Sequence, residues 1–152
     1  MSSAATWPLR DAARASGTKA RVLGQWLATG VLKLTDRDVR STGSGVRVGL
    51  SRQRILQVAI TRHLVLQGVT VSKAVCAAAK FTDEYQKGRL PGELFPDGRT
   101  YLVARGGNWT VMQCPFDASY TALSDFEPTI IAVDLNRVVD DVDNNLIQRK
   151  IP

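Results

Sequence analysis

Two glycines, Gly17 and Gly30, set where the first two helices must stop, and so limit what the first third of the chain can become. Glycine takes the left-handed turn that ends a helix more readily than any other residue. Trp7-Pro8 opens the first pattern, with Thr6 as a cap and Pro8 in the first helical turn. Leu9, Ala12 and Ala13 share one face of this short helix, which ends at Gly17. The second helix is expected over residues 19–29, with Val22, Leu23, Trp26 and Leu27 on its apolar face and Gly30 as its stop. Two short helices joined by Ser16-Gly17-Thr18 make a helix-turn-helix.

The segment 31–50 contains the glycine-rich run RSTGSGVRVGLS. Val31, Leu32 and Leu34 read as one short strand, and Val46-Arg47-Val48 alternates as a second. Between them lie Asp36, Arg37, Asp38, Arg40 and a Ser/Gly turn, which together predict a hairpin. A nucleotide-binding loop does not fit. The spacing from Gly45 to Gly49 is too long for a dinucleotide fingerprint, no strong strand precedes it, and no Lys-Ser/Thr pair follows.

Ser51 caps a long helix over about residues 52–67, with Ile55, Leu56, Ala59, Ile60 and Leu64 at helical spacing. Ser72 begins another, to about Gln86, with the stripe Ala74, Val75, Ala78, Phe81 and Tyr85. The prolines and glycines of 87–98 read as a boundary. Beyond it TYLVARGGNWTVMQC predicts strand, turn, strand, PTIIAVDL a central third strand, and Val138, Val139, Val142 and Leu146 a short helix. The expected organisation is therefore residues 1–86, a linker 87–98, and a β-rich module 99–152.

Charge divides along the same line. Residues 1–90 hold fifteen Lys and Arg against five Asp and Glu; residues 91–152 hold five against nine. A basic half followed by an acidic half points to a polyanion-binding module with a different module behind it. No apolar run is long enough for a membrane span, and the first residues lack the apolar stretch of a signal peptide. Cys76 and Cys114 lie far apart and near no histidine pair, so both are expected to be reduced thiols of a cytoplasmic protein.

The order helix, turn, helix, hairpin, helix, helix is that of a winged helix-turn-helix, and its details resemble the DNA-binding domain of the MerR family. The resemblance rests on Ala12-Ala13, Gly17, Leu23, Trp26 and Gly30-Val31-Leu32, then on Gly45, Arg47 and Ser51, and finally on Leu64, Gly68 and Val71-Ser72. It covers about residues 6–82. It implies four helices and a β-hairpin wing binding double-stranded DNA; with the small antiparallel β-rich module read from the residues behind it, the expected class is α+β. The family's long C-terminal pairing helix has no counterpart here, so homodimerisation is expected of the C-terminal half, through sheet edges or the small residues Ala77–Ala79.

In such a domain the second helix reads bases from its N-terminal residues. Thr18, Lys19, Arg21 and Gln25 are the candidates, with Arg21 suited to guanine, Gln25 to adenine and Lys19 to phosphate. Arg37, Arg40 and Arg47 of the wing would follow the backbone or enter the minor groove, with Ser44 donating to phosphate. Arg52 and Arg54, at the start of the next helix, complete the set.

Other chemistry finds little footing. Asp141-Val-Asp143-Asn-Asn145 opens like a calcium loop but lacks its glycine and its final glutamate. His63, the single histidine, has no neighbouring nucleophile or carboxylate in sequence. Tyr101, Trp109, Met112 and Phe116 read as core before they read as a ligand pocket. The expectation is a non-enzymatic, sequence-specific transcription regulator of a bacterium or mobile element. It would be nucleoid-associated, need no cofactor or metal, and have RNA polymerase or another regulator as a further partner. Two alternatives share the composition: an excisionase-type or DNA-packaging architectural protein, and a protein-interaction adaptor.

Overall fold

In the computed structural model, which describes residues 5–41, 45, 47–114 and 131–148, the chain begins with strand β1 (Thr6–Pro8) and helices α1 (Leu9–Ser16) and α2 (Ala20–Ala28). Strand β2 (Gly49–Ser51) leads into α3 (Arg52–Leu66) and α4 (Val71–Thr82). A hairpin of β3 (Arg99–Arg105) and β4 (Asn108–Cys114) follows, then β5 (Ile131–Asp134) and α5 (Leu135–Ile147). Among the described residues this is a mixed α+β fold of five helices and two small antiparallel sheets.

Helix α3 is the axis. Ser51 caps it, its side chain accepting from Arg54 N, a bond worth about 1 kcal/mol. The sequence predicts one apolar face, yet Arg54 through Thr61 are all buried. The reason is that α1, α4 and α5 all pack around it, so little of its circumference meets water. Its polar members are satisfied internally: Gln57 Nε2 donates to Val75 O at 3.1 Å and Thr61 Oγ1 to Gln57 O at 2.7 Å. One apolar cluster runs from Ala12 and Leu23 through Ile55, Leu56 and Phe81 to Leu102, Val133 and Val142. Each fully buried leucine or phenylalanine in it contributes about 1.5–3 kcal/mol.

Several local expectations need correction. Thr6–Pro8 is a strand rather than a helix start, and Pro8 takes the N-cap position of α1. The strands expected at 31–34 and 46–48 do not form a hairpin: 31–35 is irregular, Arg47 and Val48 precede the strand, and Val46 lies outside the described residues. Leu32 is instead a buried core residue, with Val31 and Leu34 packed beside it. The partner of β2 is β1, with Trp7 opposite Leu50, while Val39 forms an isolated antiparallel bridge to Gly49 on the other side. Gly49 permits this sandwich because a Cβ there would lie 2.9 Å from Thr6 Oγ1 and 3.3 Å from Val39 Cβ.

Helix α4 stops at Thr82, short of Gln86, and Tyr85 is 71% exposed. Its last carbonyls are taken from outside. Arg89 donates to Lys80 O and Phe81 O, both at 2.9 Å, and Gly92 N donates to Phe81 O at 2.8 Å. The stretch 87–98 thus buries Arg89, Gly92, Phe95 and Gly98. Among the described strands of the second sheet β3 is central, in the order β4-β3-β5, and the strand expected to be central lies beside it at an edge. Residues 128–130 of that expected strand, and Phe116, are outside the described residues.

Candidate nucleic-acid interface

Gly17 joins α1 to α2 at φ 75°, with its N–H on Arg14 O and that of Thr18 on Ala13 O. The left-handed turn folds α2 back onto α1, burying Leu23 and Trp26. The opposite stripe of α2 is Arg21, Gln25 and Ala28, all exposed and spaced so that they share one face. Lys19 sits at the N-cap, exposed, and no acid occupies the first turn. Among the α2 candidates Thr18 alone turns inward, its hydroxyl enclosed and without a hydrogen-bond partner among the described residues.

After Leu32 N returns to Trp26 O, the chain carries Lys33, Arg37, Arg40 and Arg47, all exposed. Arg40 reaches back to Leu34 O at 3.3 Å. Ser44 lies outside the described residues. The first fifty residues contain eight Lys and Arg (these four with Arg10, Arg14, Lys19 and Arg21), and every one is exposed. None forms an ion pair with another described residue. Of the three acids in the same span, Asp11 and Asp38 are buried, which leaves Asp36 as the exposed countercharge.

The later arginines are placed differently. Arg52 makes a two-pronged pair with Asp143 of α5, at 2.7 and 2.9 Å, which raises its proton affinity against the opposing effect of burial. Arg54, expected against phosphate, is only 2% exposed. Its guanidinium bonds Gln57 and Asp83 and also reaches Lys33 O at 3.4 Å. It is thus withdrawn from any ligand outside. Arg89 loses proton affinity through burial, and Arg99 is held by Asp134.

Three exposed cations of the first fifty residues lie outside the candidate set that the sequence offers: Arg10, Arg14 and Lys33. The first two follow each other at helical spacing on the polar side of α1, a signal that alanine-rich periodicity overshadowed. Asp38 sits in a polar loop three residues after Thr35, a place that suits a side chain tying up local backbone.

Fold and site together define a mixed α+β protein whose first fifty residues hold exposed cations that make no ion pair with a described residue. Among the described residues no group of three or more His, Cys, Asp or Glu is placed to hold a metal ion, and no helix is long and apolar enough to cross a membrane. No family model matches the chain, and no curated protein matches it either.

Proposed function

We propose that this is a DNA-binding protein of the winged helix-turn-helix kind, MerR-like in its N-terminal half and acting in transcription regulation. Helix α2 enters the major groove with Arg21 and Gln25 toward base edges and Lys19 toward phosphate. The loop of residues 31–50 carries Arg37, Arg40 and Arg47 to the backbone or minor groove. The supporting observation is the concentration of eight exposed cations, unpaired among the described residues, in the first fifty residues. Cations left without protein partners are available to phosphates, and neutralising phosphate supplies most of non-specific DNA affinity.

Binding of the intact protein to duplex DNA, followed by fluorescence anisotropy across salt concentrations, tests this. With roughly six phosphates neutralised, log affinity falls against log salt with a slope near −5. A slope near zero, or no binding at low salt, overturns the reading. Pairing of two copies through the C-terminal half belongs to the same proposal; sedimentation that finds only monomer at high concentration removes it.

A further inference from the structure

The loop between α2 and β2 poses a physical problem. It carries Lys33, Arg37, Arg40 and Arg47, whose like charges repel, and its described residues form no helix or strand of their own. Such a segment left to itself samples many conformations, and each contact it made would have to offset the entropy of ordering it.

The structure holds it at one carboxylate. Asp38 is completely buried at its side chain. Its Oδ1 accepts Ser51 N at 2.7 Å, at the last residue of β2. Its Oδ2 accepts Thr35 N at 2.8 Å and Thr35 Oγ1 at 3.1 Å. Behind it stands Arg54 of α3, with Nε 3.7 Å from Oδ2. Three hydrogen bonds and a facing guanidinium hold the carboxylate in one place. Arg54 in turn grips the loop backbone at Lys33 O and joins α4's C-cap through Asp83. The next residue, Val39, exchanges both backbone bonds with Gly49, at 2.7 and 3.0 Å. These fastenings sit beside the arginines: Arg37 directly precedes Asp38, Arg40 directly follows Val39, and Arg47 lies two residues before Gly49.

We infer that Asp38, seated on Arg54, is the positioning residue of the basic loop, fixing its two ends so that Arg37, Arg40 and Arg47 are presented together to an anionic ligand. Asp38 does not itself touch that ligand. What the arginines are presented to rests on the DNA reading above; the fixing of the loop does not.

The test combines amide hydrogen exchange with duplex binding on Asp38→Asn, which keeps the size but removes the charge and one acceptor. Exchange at Val39, Gly49 and Ser51 N–H is expected to quicken at least about tenfold while α3 and β3 stay protected. The salt slope is expected to flatten by about 2 to 3, as for the loss of three phosphate contacts. In a protein already carrying Arg37→Ala, Arg40→Ala and Arg47→Ala, Asp38→Asn is expected to change affinity no further.

Unchanged loop exchange overturns the inference whatever DNA does. Faster exchange with an unaltered slope, or an undiminished effect in the triple variant, overturns the presentation of the arginines. If the parent protein binds no duplex, the DNA reading falls, and exchange alone decides whether Asp38 fixes the loop. If Asp38→Asn also deprotects α3 and β3, Thr35→Ala is read in its place, because it removes a single donor at an exposed residue. Loop amides that do not quicken in that variant overturn the inference too.

Discussion

Arginines on the two sides of Ser51 are used in opposite ways. Before it, Arg10, Arg14, Lys19 and Arg21 lie on α1, α2 and the turn between them, Lys33, Arg37, Arg40 and Arg47 follow in the loop, and all eight cations face water without an ion pair to a described residue. After it, Arg52 joins α3 to α5, Arg54 joins the loop to α3 and α4, Arg89 closes the end of α4, and Arg99 joins β3 to the start of α5. The same side chain serves as adhesive in one region and is left unspent in the other. A count of positive charge does not separate the two uses. Burial and partners do: the eight cations of the first fifty residues are all exposed and make no ion pair with a described residue, whereas Arg52, Arg54, Arg89 and Arg99 are bound within the fold.

The sharpest way to break this contrast is to remove one arginine from each side and measure urea unfolding. Arg54→Ala strands Asp38, Asp83 and Gln57 and is expected to cost about 3–5 kcal/mol, as breaking a buried ion pair does. Arg89→Ala leaves the Lys80 carbonyl without its Arg89 donor and that of Phe81 with Gly92 N alone, and removes a guanidinium 5.0 Å from the Phe81 ring centre, for about 2 kcal/mol. Arg52→Ala breaks a pair exposed by more than a third on each side and is expected to cost at most about 1 kcal/mol. A loss from Arg54→Ala no greater than that from Arg52→Ala would contradict the distinction.

On the other side, Arg21→Ala and Arg47→Ala are expected to leave stability within about 0.5 kcal/mol. Their effect belongs in binding. Arg21→Ala should cost about 1–3 kcal/mol of preference between duplex sequences, and Arg47→Ala should weaken all duplexes alike while reducing the salt slope by about 1. Comparing several duplexes with each variant separates base reading from phosphate contact. Equal loss on every sequence with Arg21→Ala would remove it from the reading face.

How much of this was legible beforehand depends on whether the signal is local. Gly17, Ser51 and the Gly106-Gly107 turn act on their immediate neighbours, and α1, α2, α3 and the β3–β4 hairpin fall where those residues place them. The pairing of β2 was not legible. It depends on Thr6, at the far end of two helices, and on the missing side chain of Gly49, so the alternation of Val46-Arg47-Val48 directed attention to the wrong neighbours. The end of α4 depends likewise on Arg89 returning from a stretch that reads as a linker. For the candidate site, the exposed stripe of Arg21 and Gln25 follows from helical spacing, whereas Arg54 sits next to Arg52 in the same basic run and differs from it only by a rotation around α3 that turns it inward. Sequence gives that angle only when the neighbours on all sides of the helix are known.

The smallest effect concerns His63, the single histidine of the chain, which lies on the structurally committed side. Partial desolvation lowers its proton affinity below the ordinary value, chiefly, and the positive charge of Arg62 acts the same way. Asp141 of α5 opposes this and Arg137 adds to it. Unfolded, the ring takes up its proton near pH 6.5; folded, it does so only at lower pH. Above that unfolded value both states are neutral and His63 contributes nothing to the pH dependence. As pH falls below it the unfolded chain binds the proton first, so stability declines until the folded ring is protonated as well. Because the side chain is exposed, the extra fall in melting temperature between pH 7.5 and 5.5 is expected to be under about 2 °C and to vanish in His63→Gln. A melting temperature that rises on acidification in the parent but not in the variant would reverse the sign, and would mean that Asp141 outweighs Arg62, Arg137 and the loss of water together.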